Sequence, residues 1–221
     1  MVTIPNWVFC NLSVSGEKDA VEQFDSEMRK PHPTFVAKPD EAWGHQDGMW
    51  QTTEGGEFSF WNAVAPTNLE NYFTGENWYN WNCANWGCKW DVNVEDEDSY
   101  ESTDGSGDQN KMYRFDTAWS PPIEAFSAMC AKYTNLRFSL SYEEEQGWGG
   151  EVCSDDEGGI YVSEEYDIPS SHADYVARDR EDSCNCMSGD DEGYWFDDCP
   201  REEEDENAVI VVEDLTTLVV S

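Results

Sequence analysis

Two short segments, Glu76–Asp91 (ENWYNWNCANWGCKWD) and Phe115–Pro122 (FDTAWSPP), hold five of the eleven tryptophans in this chain: Trp78, Trp81, Trp86, Trp90 and Trp119. An indole buries roughly 150–250 Å² when it is packed, so this much rigid apolar surface has to be withdrawn from water somewhere in the fold. We read the five rings as a structural motif that fills the space between a sheet and inserted helices. In that reading the indole N–H groups and neighbouring asparagines satisfy one another, and Asp91 closes the motif. Lys89, set between tryptophans, reads as a cation lying over a ring. The competing reading is a ligand box, in which Trp and Tyr beside Asn and Lys stack on a base or a sugar.

The periodicity around this motif is that of an α+β fold. Val8, Cys10, Leu12 and Val14 alternate as a half-buried strand does, and Ala20, Val21, Phe24 and Met28 then form one stripe of a helix over Glu17–Lys30, stopped by Pro31 and Pro33. Residues 31–56 lack a period and are expected to be a long loop. Glu57–Ala65 alternates as an extra strand, and two short helices follow, the second ended by Gly87 in a left-handed cap. Trp90, Val92 and Val94 predict a strand whose hairpin partner is Tyr113–Trp119, across a flexible turn at 98–110. Ser120 is expected to cap a helix bearing Ile123, Phe126, Cys130 and Tyr133, and Leu136–Tyr142 follows as a strand. The order β-α-(insertion)-β-β-α-β is the split β-α-β arrangement of a ferredoxin-like sandwich, with both helices on one face of the sheet. A hairpin over Gly150–Cys153 and Ile160–Ser163 extends it. The domain is expected to span residues 1–165, with its helical and loop insertion at about 31–88. Residues 166–221 form an acidic extension with a short helix within Ser170–Arg180 and short strands at Ala208–Val212 and Leu218–Val220.

Charge is the abnormal quantity. Twelve basic against 48 acidic residues give a net charge of −36, which argues against nucleic acid or anionic membrane as a direct partner. The excess is uneven: residues 1–140 hold 9 basic and 22 acidic residues, net −13, and residues 141–221 hold 3 and 26, net −23. The start, MVTIPNWVFCNLSVSG, lacks a basic n-region and a cleavage site, and no apolar run approaches the roughly 20 residues that span a bilayer, so we expect a soluble intracellular protein with reduced thiols.

The motifs resemble those of a family of phage- and plasmid-borne proteins with a ferredoxin-like domain named after the plasmid protein YubB. The resemblance lies in Pro5-Asn6-Trp7 with Asn11-x-Leu-x-Val-x-Gly16, in Trp78-Tyr79-x-Trp81 with Asn85-Trp86-Gly87-x-Lys89-Trp90-Asp91, and in Phe115–Pro122. It covers roughly residues 4–165. The family pattern has Thr where Cys88 stands. The resemblance implies the fold, an origin in a mobile element and residence in the cytoplasm of the infected or plasmid-bearing host cell; it brings no catalytic residue.

No phosphate-binding glycine loop, nucleophile elbow or H-E-x-x-H helix is present, so the sequence predicts a binding protein, not an enzyme, and no cofactor. Cys184, Cys186 and Cys199, with Cys153 or His172, are weak zinc candidates because their spacing is not that of paired C-x-x-C knuckles. The acidic loops at 95–108 and 188–193 lack the ladder of a calcium loop. The expected partner is a basic host protein that binds nucleic acid, a defence protein inhibited by DNA mimicry. The contact residues expected are Glu143, Glu144 and Glu145; Asp155, Asp156 and Glu157; Asp190, Asp191 and Glu192; and Glu202, Glu203, Glu204, Asp205 and Glu206, with Trp195 as an aromatic anchor. If residues 141–221 cover about a third of a surface on the order of 10,000 Å², their charge comes to roughly one per 150 Å². A B-DNA cylinder of roughly 10 Å radius carries about one per 100 Å². Adaptation to a salt-rich host, in a soluble or virion-associated protein with only six lysines, is the alternative source of the acidity. A small-ligand or metal-binding module built on the tryptophan motif is a third reading.

Overall fold

The computed structural model describes residues 6–37, 48–74, 77–92, 94, 98–103 and 107–177. The chain divides into two units, Met1–Asp167 and Ile168–Ser221.

In the first unit, β1 (Trp7–Gly16) has Val8, Cys10, Leu12 and Val14 buried and Trp7, Phe9, Asn11, Ser13 and Ser15 turned the other way. Helix α1 (Lys18–Met28) follows and buries Val21, Phe24 and Met28, the stripe its 3.6-residue period sets. After the insertion come β4 (Ser99–Thr103), β5 (Gln109–Ala118), α4 (Ile123–Lys132) and β6 (Arg137–Glu144), with a terminal hairpin of β7 (Gly149–Ser154) and β8 (Ile160–Tyr166). The six strands form one antiparallel sheet in the order β4-β5-β1-β6-β7-β8. Its first four strands are the split β-α-β order, and β7 and β8 widen it beyond β6.

Both helices lie on one face. Phe24 of α1 meets Phe138 of β6 edge-on at 5.4 Å and Phe126 of α4 meets the same ring at 6.4 Å. Tyr113 of β5 and Tyr133, just after α4, complete the ring cluster about Phe24. The alternate side chains of β1, among them Phe9, Asn11 and Ser13, point to the opposite face, the outer or open face.

A buried charge network ties α1 to the sheet. Asp25 accepts from Arg29 Nε at 2.8 Å, Lys111 Nζ at 2.9 Å and the Tyr113 hydroxyl at 2.9 Å, and Lys111, only 6% exposed, also meets Glu101 of β4 at 2.9 Å. Desolvation pushes the Asp25 carboxyl upward, but the Lys111, Arg29 and Tyr113 donors outweigh it and hold the group below its ordinary value.

Four expectations are corrected by the structure. The strand that pairs with β5 at the sheet edge is Ser99–Thr103, inside the stretch expected to be a flexible turn, and the described residues of 90–94 form a single bridge, Val94 with Phe58. Their alternation is real, since Val92 and Val94 are buried, but it answers to the insertion and not to the sheet. Ser120 does not cap α4: its hydroxyl donates to the Gly87 carbonyl at 2.5 Å, and Pro122 stands at the helix start without a side-chain cap. The expected loop at 31–56 contains a two-stranded ladder, β2 (Pro33–Ala37) with β3 (Gly48–Thr52), and the expected strand at 57–65 is a bridge at Phe58 followed by a single 3-10 turn at Phe60–Asn62.

The insertion joins the same core. Phe58 packs on Tyr113 at 4.7 Å and Phe60 on Phe115 at 5.5 Å. Helices α2 (Leu69–Tyr72) and α3 (Asn77–Asn85) follow, and Gly87, at φ +86°, ends the second. A Cβ at Gly87 would stand 3.1 Å from both the Ile123 nitrogen and the Pro121 carbonyl oxygen. Glycine there serves both the left-handed turn and the close approach of α4.

In the second unit the described residues, 168–177, hold α5 (His172–Ala177). Ser170 donates to Asp174 through its N–H at 2.7 Å and its hydroxyl at 2.9 Å, which lowers the Asp174 carboxyl. The expected strands at 208–212 and 218–220 lie outside the described residues.

Candidate functional site

The tryptophan motif splits into an inner knot and an outer cluster. Inside, Trp86 is 1% exposed, donates its indole N–H to the Val64 carbonyl at 3.0 Å and packs edge-on against Trp81 at 5.4 Å. Asn82, also buried, accepts from the Tyr72 hydroxyl at 3.0 Å and donates to the Lys89 carbonyl at 2.9 Å. Asp91 accepts from the Ser59 hydroxyl at 2.5 Å and from the backbone N–H groups of Phe60, Trp61 and Val92. Desolvation raises its carboxyl above the usual range against those donors. The Cys88 thiol donates to the Trp90 carbonyl at 3.2 Å. Asp91, Trp81 and Trp86 therefore hold the insertion to the core.

Trp90 and Trp119 do not belong to that core, which corrects the expectation that all five rings are packed inside. They are 38% and 39% exposed, and Trp119 has φ +74°, the one non-glycine residue at positive φ among those described. The Lys89 ammonium stands 4.2 Å from the Trp90 ring centre and 4.6 Å from that of Trp119. Trp7 meets Trp90 at 6.1 Å and Tyr79 meets Trp119 at 6.1 Å. Trp78 packs on Tyr79 at 6.0 Å and is half-buried. The result is an aromatic cluster at the surface, at the end of β1.

That cluster adjoins the open face of the sheet. Register and alternation together set which residues share this face. Asp116 of β5 stands opposite Phe9 of β1, which stands opposite Glu143 of β6; Ser141 of β6 faces Glu151 of β7, which faces Glu164 of β8. Contacts agree with that assignment, since Tyr166 donates to Glu143 at 3.1 Å and Ser139 to Glu151 at 2.5 Å. Glu145, whose N–H donates to the Trp7 carbonyl, is exposed at the same end. Desolvation and the Glu145 charge both raise the Asp116 carboxyl. Five carboxylates thus cross the open side from β5 to β8, against two arginines, Arg114 and Arg137, of which Arg137 is bonded to Asp108 at 2.7 Å. Phe9, 48% exposed, lies among the acids.

The expected contact residues fare unequally. Glu143 and Glu145 lie on this side of the sheet. Glu144 is 2% exposed and corrects the reading of Glu143–Glu145 as a solvated run: it alternates inward, accepting from Asn6 Nδ2 at 2.6 Å and from the Gln146 N–H at 2.7 Å. Asp155, Asp156 and Glu157 form the β7–β8 turn, where Asp155 accepts from the N–H groups of Glu157 and Gly159. Asp156 and Glu157 remain exposed. Asp190, Asp191, Glu192, Trp195, Glu202–Glu206, Cys184, Cys186 and Cys199 lie outside the described residues. The sequence reading missed Asp116, Glu151 and Glu164, which stand outside the acidic runs; strand register is the signal that finds them.

Other sites are weaker. A cleft of about 570 Å³ opens along Ser13, Ser15, Arg137, Ser139, Cys153 and Asp155, but Arg137 and Asp155 are already engaged as described. Among the described residues no group of three His, Cys, Asp or Glu side chains is arranged to hold a metal, and no helix is long and apolar enough to cross a membrane. The five described cysteines, Cys10, Cys83, Cys88, Cys130 and Cys153, are free thiols.

Comparison with known proteins finds a likeness over part of the chain. No curated protein matches. One solved structure is similar, the crystal structure of a protein api92 from Yersinia pseudotuberculosis, at 10% identity and a TM-score of 0.49 over 75% of this chain and all of that one. Residues 89–185, which contain β4 through β8, match the family model described as the ferredoxin-like domain in Api92-like protein.

Proposed function

We propose that this chain is a non-enzymatic acidic protein of a phage or plasmid, akin to the YubB-type proteins its motifs resemble. It binds a basic, nucleic-acid-binding protein of its host and blocks it by presenting carboxylates where that protein expects phosphates. It acts in the host cytoplasm, and the natural target is a defence protein whose inhibition benefits a mobile element.

The observation that carries this reading is the set of carboxylates on the side of the sheet opposite α1 and α4. Asp116, Glu143, Glu151 and Glu164 come from four strands, with Glu145 at the row's aromatic end. Neighbouring strands are about 4.8 Å apart and β1 contributes Phe9 in place of a charge, so the four carboxylates from β5 to β8 stand on average roughly 6 Å apart across the sheet. One strand of B-DNA supplies one per about 3.4 Å. Backbone pairing fixes these charges in a plane, and such a fixed field attracts a groove lined with Lys and Arg and accelerates encounter at low salt. The acidic runs at 190–192 and 202–206 add charge to the same chain.

The test is displacement. Host proteins retained on immobilised duplex DNA at low salt should be eluted by this protein, less so as salt rises. Replacing Glu143, Glu151 and Glu164 by Gln should remove that elution. If the wild-type protein elutes no DNA-bound protein at low salt, or if the triple variant elutes as well as wild type, the reading is wrong.

A further inference from the structure

We propose that the surface cluster of Trp7, Trp90 and Trp119 is an arginine-binding anchor, the seat for a guanidinium of the basic partner. The inference rests on the reading that the sheet binds such a partner, and it adds which partner side chain is selected and where.

Three observations converge. First, the cluster already holds a cation: the Lys89 ammonium lies within 4.6 Å of two ring centres, so the rings are placed and oriented for positive charge. Second, Trp119 is held at φ +74°, a conformation that bulky L residues rarely adopt, and its N–H donates to the Asn6 carbonyl at 2.9 Å. A ring that filled the core would account for such a backbone; this ring is 39% exposed, so burial does not account for it. Third, the cluster is continuous with the carboxylates. Trp7 is the strand neighbour of Ala118, two residues from Asp116, and its carbonyl accepts from the backbone N–H of Glu145. The backbone thus sets the indoles beside the strand ends that carry Asp116 and Glu145.

That combination selects arginine over lysine. Guanidinium is planar, stacks on an indole face and bonds a carboxylate with two N–H groups at once, and it is less strongly hydrated than ammonium. Half-exposed tryptophans surrounded by charge are also the residue type that dominates binding at protein interfaces.

The experiment uses the full chain and two nine-residue probes, oligoarginine and oligolysine, followed by tryptophan fluorescence and calorimetry at low salt. Oligoarginine should bind at least tenfold more tightly than oligolysine and change the tryptophan emission. In a Trp90→Leu/Trp119→Gly variant, shown by circular dichroism to be folded, arginine affinity should fall about tenfold and the preference should vanish. The Glu143→Gln/Glu151→Gln/Glu164→Gln variant should weaken both probes while keeping the preference. Equal affinity for the two probes in wild type, or an unchanged preference in the tryptophan variant, overturns the anchor and leaves the acidic surface standing. If neither probe binds wild type at low salt, the basic-partner reading fails and the anchor falls with it.

Discussion

Trp86 and Trp119 look alike in the sequence, each lying in an aromatic motif, yet the structure predicts opposite consequences for removing them. Trp86 is 1% exposed, ringed by Phe60, Trp61 and Trp81, and donates to the Val64 carbonyl. About 200 Å² of apolar surface at ~25 cal/mol per Å² gives an upper figure of about 5 kcal/mol. Loss of the hydrogen bond adds about 1 kcal/mol and partial collapse of the cavity returns some of this, so Trp86→Ala should cost about 4 kcal/mol. For a chain of this size that lowers Tm by about 8–16 °C. Trp119→Gly removes a surface cation–π contact worth about 0.5–1 kcal/mol and relieves a left-handed backbone strain of about 1–2 kcal/mol, so its stability should stay within about 1 kcal/mol of wild type. Urea denaturation followed by circular dichroism measures both. A Trp86→Ala loss under about 1 kcal/mol, or a Trp119→Gly loss above about 3 kcal/mol, would refute the division of the motif into knot and surface.

Acid should unfold the protein partly through Asp25. Its carboxyl is depressed in the fold, so the stability it contributes is complete above the unfolded value near pH 3.9 and is lost as pH falls through the lower, folded value. Asp25→Asn should cost about 3 kcal/mol at neutral pH, by leaving buried Lys111 and Arg29 short of a charge partner, and should flatten the loss below about pH 4 in denaturant titrations taken across pH. Burial pushes the Cys10 and Cys130 thiols up to about 12, and Cys88 well upward as well. Brief iodoacetamide treatment of the native protein, read by peptide mass spectrometry, should therefore label the half-buried Cys83 and Cys153 ahead of those three.

Much of the scaffold was legible because burial on one side leaves a period. Val8–Val14 and the stripes of Phe24 and Phe126 each report one buried face, which was enough to order the first strands and helices. The errors arose where two buried surfaces compete. Trp90, Val92 and Val94 alternate like a sheet strand, but Asp91 between them is drawn to the turn at Ser59–Trp61, and the chain reaches the sheet only at Ser99–Thr103. That edge strand, SYEST, is polar and short, and has no pattern to announce it. For the acidic residues, the run Glu143–Glu145 reads as one solvated patch, whereas alternation sends Glu144 inward. Asp116, Glu151 and Glu164 are brought together only by register, a long-range quantity that local sequence does not encode. Nor does composition tell a buried indole from an exposed one: Trp86 and Trp90 are four residues apart and meet opposite environments.

Equilibrium competition decides whether the sheet face opposite the helices stands in for nucleic acid. One host protein eluted from duplex DNA is purified, and its affinity for this chain is measured against salt for wild type, for the sheet variant Asp116→Asn/Glu143→Gln/Glu151→Gln/Glu164→Gln, and for a variant with Glu202–Glu206 neutralised. Wild type should displace DNA with an affinity that falls steeply with salt, and the sheet variant should lose both the displacement and most of that salt dependence. Displacement that survives in the sheet variant and disappears only when Glu202–Glu206 are neutralised would contradict that expectation.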